Sequence, residues 1–203
     1  MVLKGNVKVV KQVFTNKLEP TSFQLHETFY FDRNGNIEKL VYNTKIDNNE
    51  FDESPDLVTT FKQVSEKERV GITMEKNSND TIDIKNIELL DSYTIKVDVQ
   101  QLQNSEYRKE IFQKLDTLQR LKEMQVTIFG VPSNETTLKY MYEYVYEGDL
   151  VKEIISKNNG VESIFTMKDQ KFDEHGNFTY RNHIDNAGKI MFTEERTYEY
   201  YED

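Results

Sequence analysis

Phe172-Asp173-Glu174-His175-Gly176-Asn177-Phe178 is the stretch on which the reading of this chain turns, and Phe31-Asp32-Arg33-Asn34-Gly35-Asn36-Ile37 repeats its pattern near the start. Both read as aromatic, Asp, two free positions, Gly, Asn, apolar. Asp at the head of a type I turn accepts a hydrogen bond from a backbone N–H two residues on. Gly three residues later takes positive φ without a Cβ clash, so the chain leaves antiparallel to the way it arrived. Each copy is therefore a hairpin tip with strand-like sequence on both sides.

Working outward, the same economy of strand and turn runs through most of the chain. Gly5–Phe14 and Ser22–Phe31 are the first two strands, joined around Glu19-Pro20, and Phe23, Leu25, Phe29 and Phe31 share one face of the second. Ile37–Ile46 returns from the first tip. A turn at Asp47-Asn48-Asn49-Glu50 and a loop at Asp52–Asp56 follow. Leu57–Val64, Val70–Glu75, Thr81–Leu90 and Tyr93–Val99 read as shorter strands. After Val126–Val131 and a Pro132-Ser133-Asn134 turn comes the longest alternation: Leu138, Tyr140, Tyr142, Tyr144 and Tyr146 on one face, Lys139, Met141, Glu143, Val145 and Glu147 on the other. Turn signals at Glu147-Gly148-Asp149, Asn158-Asn159-Gly160, the second tip and Asp185–Gly188 complete an antiparallel meander ending in Lys189–Tyr201.

One segment breaks the period. Tyr107, Ile111, Leu115, Leu118, Leu121 and Met124 are spaced by three and four, Gly and Pro are absent, and Ser105 is an N-cap residue type. The spacing predicts a helix over 105–124. The expected fold class is mainly β: one domain, 1–203, an antiparallel meander of hairpins with that single α-helix packed on the sheet.

Composition bounds the function. The 203 residues carry a formal charge of −10 with 12 Phe, 12 Tyr and no cysteine. Aromatic, β-branched alternation excludes a disordered chain. The charge argues against nucleic acid and anionic membranes as partners. The missing thiols exclude disulfides and thiolate zinc sites. No signal-like segment opens the sequence, and its apolar stretches are too short for a spanning helix, so the expectation is no membrane span and a cytoplasmic protein, periplasmic or secreted if a leader has been removed. Residues 126–203 hold 15 Asp/Glu against 8 Lys/Arg, which concentrates the acidity in the last strands.

The hairpin tips resemble the YD (Rhs-type) repeats, in particular short bacterial repeat proteins of that kind. Leu3–Lys8 is similar to their opening, Phe172–Thr179 to the repeat itself, and Thr193–Tyr201 to the closing strand. The likeness covers 3–46 and 138–203. Phe178 and Ile37 stand where such repeats often carry Trp, and 105–124 matches no repeat. The resemblance implies β-hairpin architecture and no catalytic role.

No residue set points to a reaction. His26, His175 and His183 lack zinc-site spacing. Asp32–Asn36 superficially echoes a calcium loop, but its Gly is fourth rather than sixth. No phosphate loop and no G-x-S-x-G is present. The expectation is therefore no catalytic residue, no metal, no cofactor and no enzyme. The leading function is a non-catalytic interaction protein that meets a protein partner, with an immunity protein against a basic toxin as the alternative, and an enzyme using unrecognised carboxylates as a further one. The binding residues on this reading are Glu143, Glu147, Glu195 and Glu199, an acidic wall on the face opposite the tyrosines. The tyrosine face is read as core in preference to a carbohydrate or peptide platform.

Overall fold

Four hairpin tips share one hydrogen-bond pattern, and it is the pattern the Asp-x-x-Gly stretches demand. In the computed structural model Asp32 Oδ1 accepts the N–H groups of Asn34 and Asn36, and Asp173 Oδ1 those of His175 and Asn177. Asp185 does the same with Ala187 and Lys189. Gly35, Gly176 and Gly188 sit at φ of 80°, 81° and 82°. The fourth tip lies where a helix was expected. Asp116 Oδ1 accepts from Leu118 and Arg120, and the positive-φ position is Gln119, at 60°.

The structure describes residues 3–17, 23–46, 56–78, 80–103, 106–131 and 133–202. The turns expected at Glu19-Pro20 and Asp47–Glu50, most of the Asp52–Asp56 loop, Ser105 and Pro132 lie outside them. Among the described residues are fourteen strands: β1 (Val7–Asn16), β2 (Phe23–Phe31), β3 (Ile37–Ile46), β4 (Leu57–Gln63), β5 (Glu68–Glu75), β6 (Thr81–Asp91), β7 (Thr94–Gln101), β8 (Tyr107–Leu115), β9 (Leu121–Gly130), β10 (Thr136–Glu147), β11 (Leu150–Asn158), β12 (Val161–Phe172), β13 (Phe178–Ile184) and β14 (Ile190–Tyr200). Each hydrogen-bonds to its neighbours in sequence, and β1 pairs antiparallel with β14 from Val7↔Tyr200 to Asn16↔Phe192, so the sheet closes into a barrel.

Two expectations are corrected here. The meander does not stay open: closure of β1 on β14 makes a fourteen-stranded barrel, not a YD- or Rhs-type run of hairpins. Nor is there a helix over 105–124. β8 and β9 fill that span, with Leu115 opposite Leu121 across the Asp116 tip. The physical reason is in the spacing. Tyr107, Ile111 and Leu115 are four apart, a multiple of two as well as nearly one helical turn, so they share a strand face equally well. Leu118, which supplied the helical offset, is a turn residue 61% exposed.

Contacts group the chain into two compact units. The first holds Phe61–Met74 and Asn79–Ile164. On β10 in this unit Lys139, Val145 and Glu147 are exposed, while Leu138 and the four tyrosines are half-buried. On β6 Asn86, Glu88 and Leu90 are exposed against buried Asp83 and half-buried Ile87 and Leu89. The register carries this shielded face across β7 to β9 through Val97, Ile111 and Val126. The opposite face is laced with ion pairs, among them Lys96–Asp98, Lys114–Glu123 and Lys157–Glu143.

The second unit holds Leu3–Thr60, Glu75–Ser78 and Phe165–Asp203. Its closing strand alternates in the same sense: Glu195, Thr197 and Glu199 are exposed, Glu194 is buried, and Phe192, Arg196, Tyr198 and Tyr200 are half-buried. Val10, with no exposed surface, pairs with Tyr198 on that shielded face. The seam is pinned from its ends. Asn177 accepts the Lys4 N–H at 2.8 Å and donates to the Lys4 carbonyl at 2.9 Å. The Tyr201 hydroxyl donates to the Phe31 carbonyl at 2.6 Å, which ties the last strand to the first Asp-x-x-Gly tip.

Candidate functional site

The shielded face of each unit carries one feature beyond packing. In the second unit it is a buried ion cluster. Register places Arg181 opposite Glu194 across β13 and β14, Gln12 opposite Arg196 across β14 and β1, and Glu27 opposite Gln12 across β1 and β2. Strand alternation thus points all five side chains the same way. Arg181 Nε donates to Glu194 Oε2 at 2.6 Å and Arg196 Nη2 to Oε1 at 2.7 Å. His183 Nε2 lies 3.2 Å from Oε2. Arg196 Nε reaches Gln12 Oε1 at 2.7 Å, and Gln12 Nε2 donates to Glu27 at 2.8 Å. The Phe178 ring lies between the two guanidinia, each 4.1 Å from its centroid.

The electrostatics follow from burial set against partners. Burial pushes the Glu194 carboxyl up, but the His183 hydrogen bond and the charges of Arg181 and Arg196 outweigh it and hold the group at about 2. Glu27 goes the other way, because burial raises its carboxyl and Arg196 only partly offsets this. Around the cluster Phe14 stacks on Phe192 with centroids 5.0 Å apart, and His183 meets Phe14 edge-on at 5.6 Å. Every lone pair and donor named has a partner, so the cluster is a structural knot in the barrel wall, not a set of reactive groups waiting for substrate.

In the first unit the feature is a cavity of about 290 Å³ where β7 and β9 end and β8 and β10 begin, lined by Gln101, Tyr107, Arg108, Lys109, Ile128, Thr137 and Leu138. Lys109, Ile128 and Leu138 form one row across β8, β9 and β10, so the register itself builds the wall. The tyrosines of β10 continue the same face: Tyr140 lies beside Val126 and Tyr142 beside Met124. Burial raises the Tyr142 hydroxyl, as expected for a phenol turned away from water.

The four glutamates expected to form one acidic wall fall into two pairs. Glu143 and Glu147 are on β10 in the first unit, Glu195 and Glu199 on β14 in the second. Glu143 is held by Lys157 at 2.8 Å, Glu147 lies 3.8 Å from Lys152, and Glu199 pairs with Lys11 at 2.9 Å. Lysines across the strands thus neutralise three of the four, and no toxin-neutralising acidic face is evident. Sequence reasoning missed Glu27, Arg181, Glu194 and Arg196. The available signal was register, since Glu27 interrupts the face of Phe23, Leu25, Phe29 and Phe31, and Glu194 and Arg196 interrupt that of Phe192 and Tyr198. Among the described residues no group of three or more His, Cys, Asp or Glu could hold a metal.

No family model and no curated relative matches the chain. Solved structures do. A porin-like protein from Bacteroides uniformis ATCC 8492 superposes with a TM-score of 0.58 at 9% identity, over 97% of this chain and 99% of that one. A porin-like protein from Bacteroides vulgatus ATCC 8482 superposes with a TM-score of 0.55 at 13% identity, over 96% and 99% of the two chains. The shared property is the fold. It replaces the hairpin-repeat interaction module expected from sequence and removes the basis for a protein partner and for excluding membranes. It also overturns the cytoplasmic placement, which leaned on the lack of a spanning helix: a β-barrel crosses a membrane without one.

Proposed function

We propose that this barrel binds a small, largely apolar molecule against the shielded face of its first unit. The observation that carries the reading is the sense of the alternation. On β10 the exposed positions include Lys139 and Glu147, and the shielded ones are Leu138 and the tyrosines. The register continues that face through Met124, Val126, Ile128 and Ile111, with Lys109 among them, and it turns polar at Asp83 and Lys85 on β6. A closed sheet must turn one face inward, and beside the cavity the shielded face is the apolar one. The cavity between Ile128, Leu138 and Tyr107 opens onto that wall, in the manner of ligand sites at barrel mouths. At ~30 Å³ per water its volume equals about ten waters, room for about ten non-hydrogen ligand atoms.

The test is calorimetric titration with octan-1-ol. Saturable binding should be lost in Leu138→Asp, whose charge would stand in the cavity wall, while the far-UV strand signal is unchanged. Wild-type protein that gives no saturable heat with straight-chain alcohols of four to ten carbons overturns the proposal.

The fold likeness favours a second reading, a barrel inserted in a bilayer, since both matched structures are described as porin-like. Such a barrel presents an apolar band outward, the reverse of the alternation on β10, which is why the first reading is preferred. Flotation with phospholipid vesicles separates the two: co-flotation that resists high salt and carbonate supports insertion, and protein left at the bottom of the gradient removes it.

A further inference from the structure

We infer that the ligand of the first-unit cavity is an amphipathic acid, an apolar chain ending in one oxyanion that Lys109 receives. The inference rests on the binding proposed above and adds the chemistry of the ligand's head. Lys109 is the anomaly in the wall. Its neighbours in the register are Val99 on β7 and Ile128 on β9, and Leu138 completes the row on β10. Lys109 is half-buried among those side chains, and an ammonium held beside an apolar wall gains most from an anion within reach. Among the described residues no carboxylate pairs with it, although Lys96, Lys114 and Lys157 elsewhere in the same unit each have one.

Arg108, the adjacent residue on β8, turns its side chain to the other face of the sheet. Its guanidinium lies 4.8 Å over the Phe129 ring, and its only carboxylate neighbour among the described residues, Glu110, is 4.0 Å from Nη2, too far for a hydrogen bond. Its Nε is buried with no hydrogen-bond partner. Its guanidinium thus stands on the far side of the strand from Lys109, which makes Arg108 the internal control. The remaining lining residues, Ile128, Leu138 and the Tyr107 ring, offer the chain of the ligand an apolar bed. One cation at the mouth, an apolar wall behind it and space for about ten heavy atoms together describe a medium-chain carboxylate.

Octanoate and octan-1-ol differ in the head group alone, and titrating each against wild type, Lys109→Gln and Arg108→Gln isolates it. Wild type should bind octanoate at least about tenfold more tightly than the alcohol, because hydrogen bonds to charged groups are the strong ones. Lys109→Gln should abolish that preference by weakening octanoate at least about tenfold relative to octan-1-ol; Arg108→Gln, on the other face of the strand, should keep it. Both substitutions remove the charge and keep a polar side chain, and an unchanged far-UV spectrum verifies the fold. Equal affinity of wild type for acid and alcohol overturns this inference and spares the binding proposal, as does a preference that survives in Lys109→Gln. Absence of binding by either ligand overturns both.

Discussion

Glu194 offers the sharpest test of the architecture. Its carboxylate is 3% exposed and engaged by Arg181, Arg196 and His183. Replacing it with Gln leaves two guanidinia buried against a neutral amide. Removing one partner of a buried pair costs about 3–5 kcal/mol. The titration gives an independent figure. The carboxyl is held at about 2 against an ordinary 4.5, and at 1.36 kcal/mol per pH unit that interval is worth about 3 kcal/mol. Because the folded value is the lower one, this stabilisation is fully present above pH 4.5 and drains away as pH falls toward 2. Glu27 has the opposite sign: burial raises its carboxyl, so its contribution favours the fold in acid and is lost as pH rises through the raised value. The wild-type pH profile therefore mixes both groups, and the difference between wild type and Glu194→Gln isolates Glu194. Urea unfolding followed by tyrosine fluorescence should show that difference at its full size at pH 7 and shrinking below pH 4. An unchanged midpoint at pH 7, or a difference that stays constant to pH 3, would refute the account of the cluster.

Other consequences are as direct. Gln119→Gly should raise stability by about 0.5–1 kcal/mol, since a left-handed conformation strains a residue with a Cβ; Gly176→Ala should lower it by about 1 kcal/mol or more for the same reason, both read from urea midpoints. Asn177→Ala should cost about 1–3 kcal/mol by leaving the Lys4 N–H and carbonyl without their partner, and hydrogen exchange should show the Lys4 amide losing protection first. Val10→Ala, at a position with no exposed surface, should cost about 2 kcal/mol from two lost methyl groups and the space they leave; a thermal midpoint equal to wild type would contradict its place in the wall.

Legibility in the sequence tracked how local the determinant was. The Asp32, Asp173 and Asp185 tips could be read because the turn hydrogen bonds and the glycine that permits them lie within five residues. The Asp116 tip uses identical bonds but places Gln119 at the positive φ, so the one residue type that marks such a turn was missing. A spacing of four then fitted helix and strand alike. Closure was invisible for a different reason. The pairing of β1 with β14 joins residues nearly the whole chain apart, as in Gln12↔Arg196, and nothing local announces it. The ion cluster was legible only in halves: Arg181↔Glu194 and Gln12↔Glu27 each belong to one hairpin, and Arg196 meets Gln12 only once the ends have met.

Closure also decides what the tyrosine stripe means. Alternation on β10 assigns Tyr140, Tyr142 and Tyr144 to one face and Lys139, Glu143 and Glu147 to the other, but period two is symmetric and is silent on which face looks inward. An open sheet with the tyrosines exposed and a barrel with them enclosed have the same pattern. The solvent exposure of Lys139 and Glu147 breaks the symmetry, and it does so consistently with Glu88 on β6 and with Glu195 and Glu199 on β14. Strand number and connectivity are what a fold match at 9–13% identity transmits; the chemistry of the two faces belongs to each sequence separately. A barrel can therefore share its connectivity with porin-like proteins and still put its aromatic face where a channel would put water. On the proposal above Lys109, which has no carboxylate partner among the described residues, is the residue through which a ligand would be chosen.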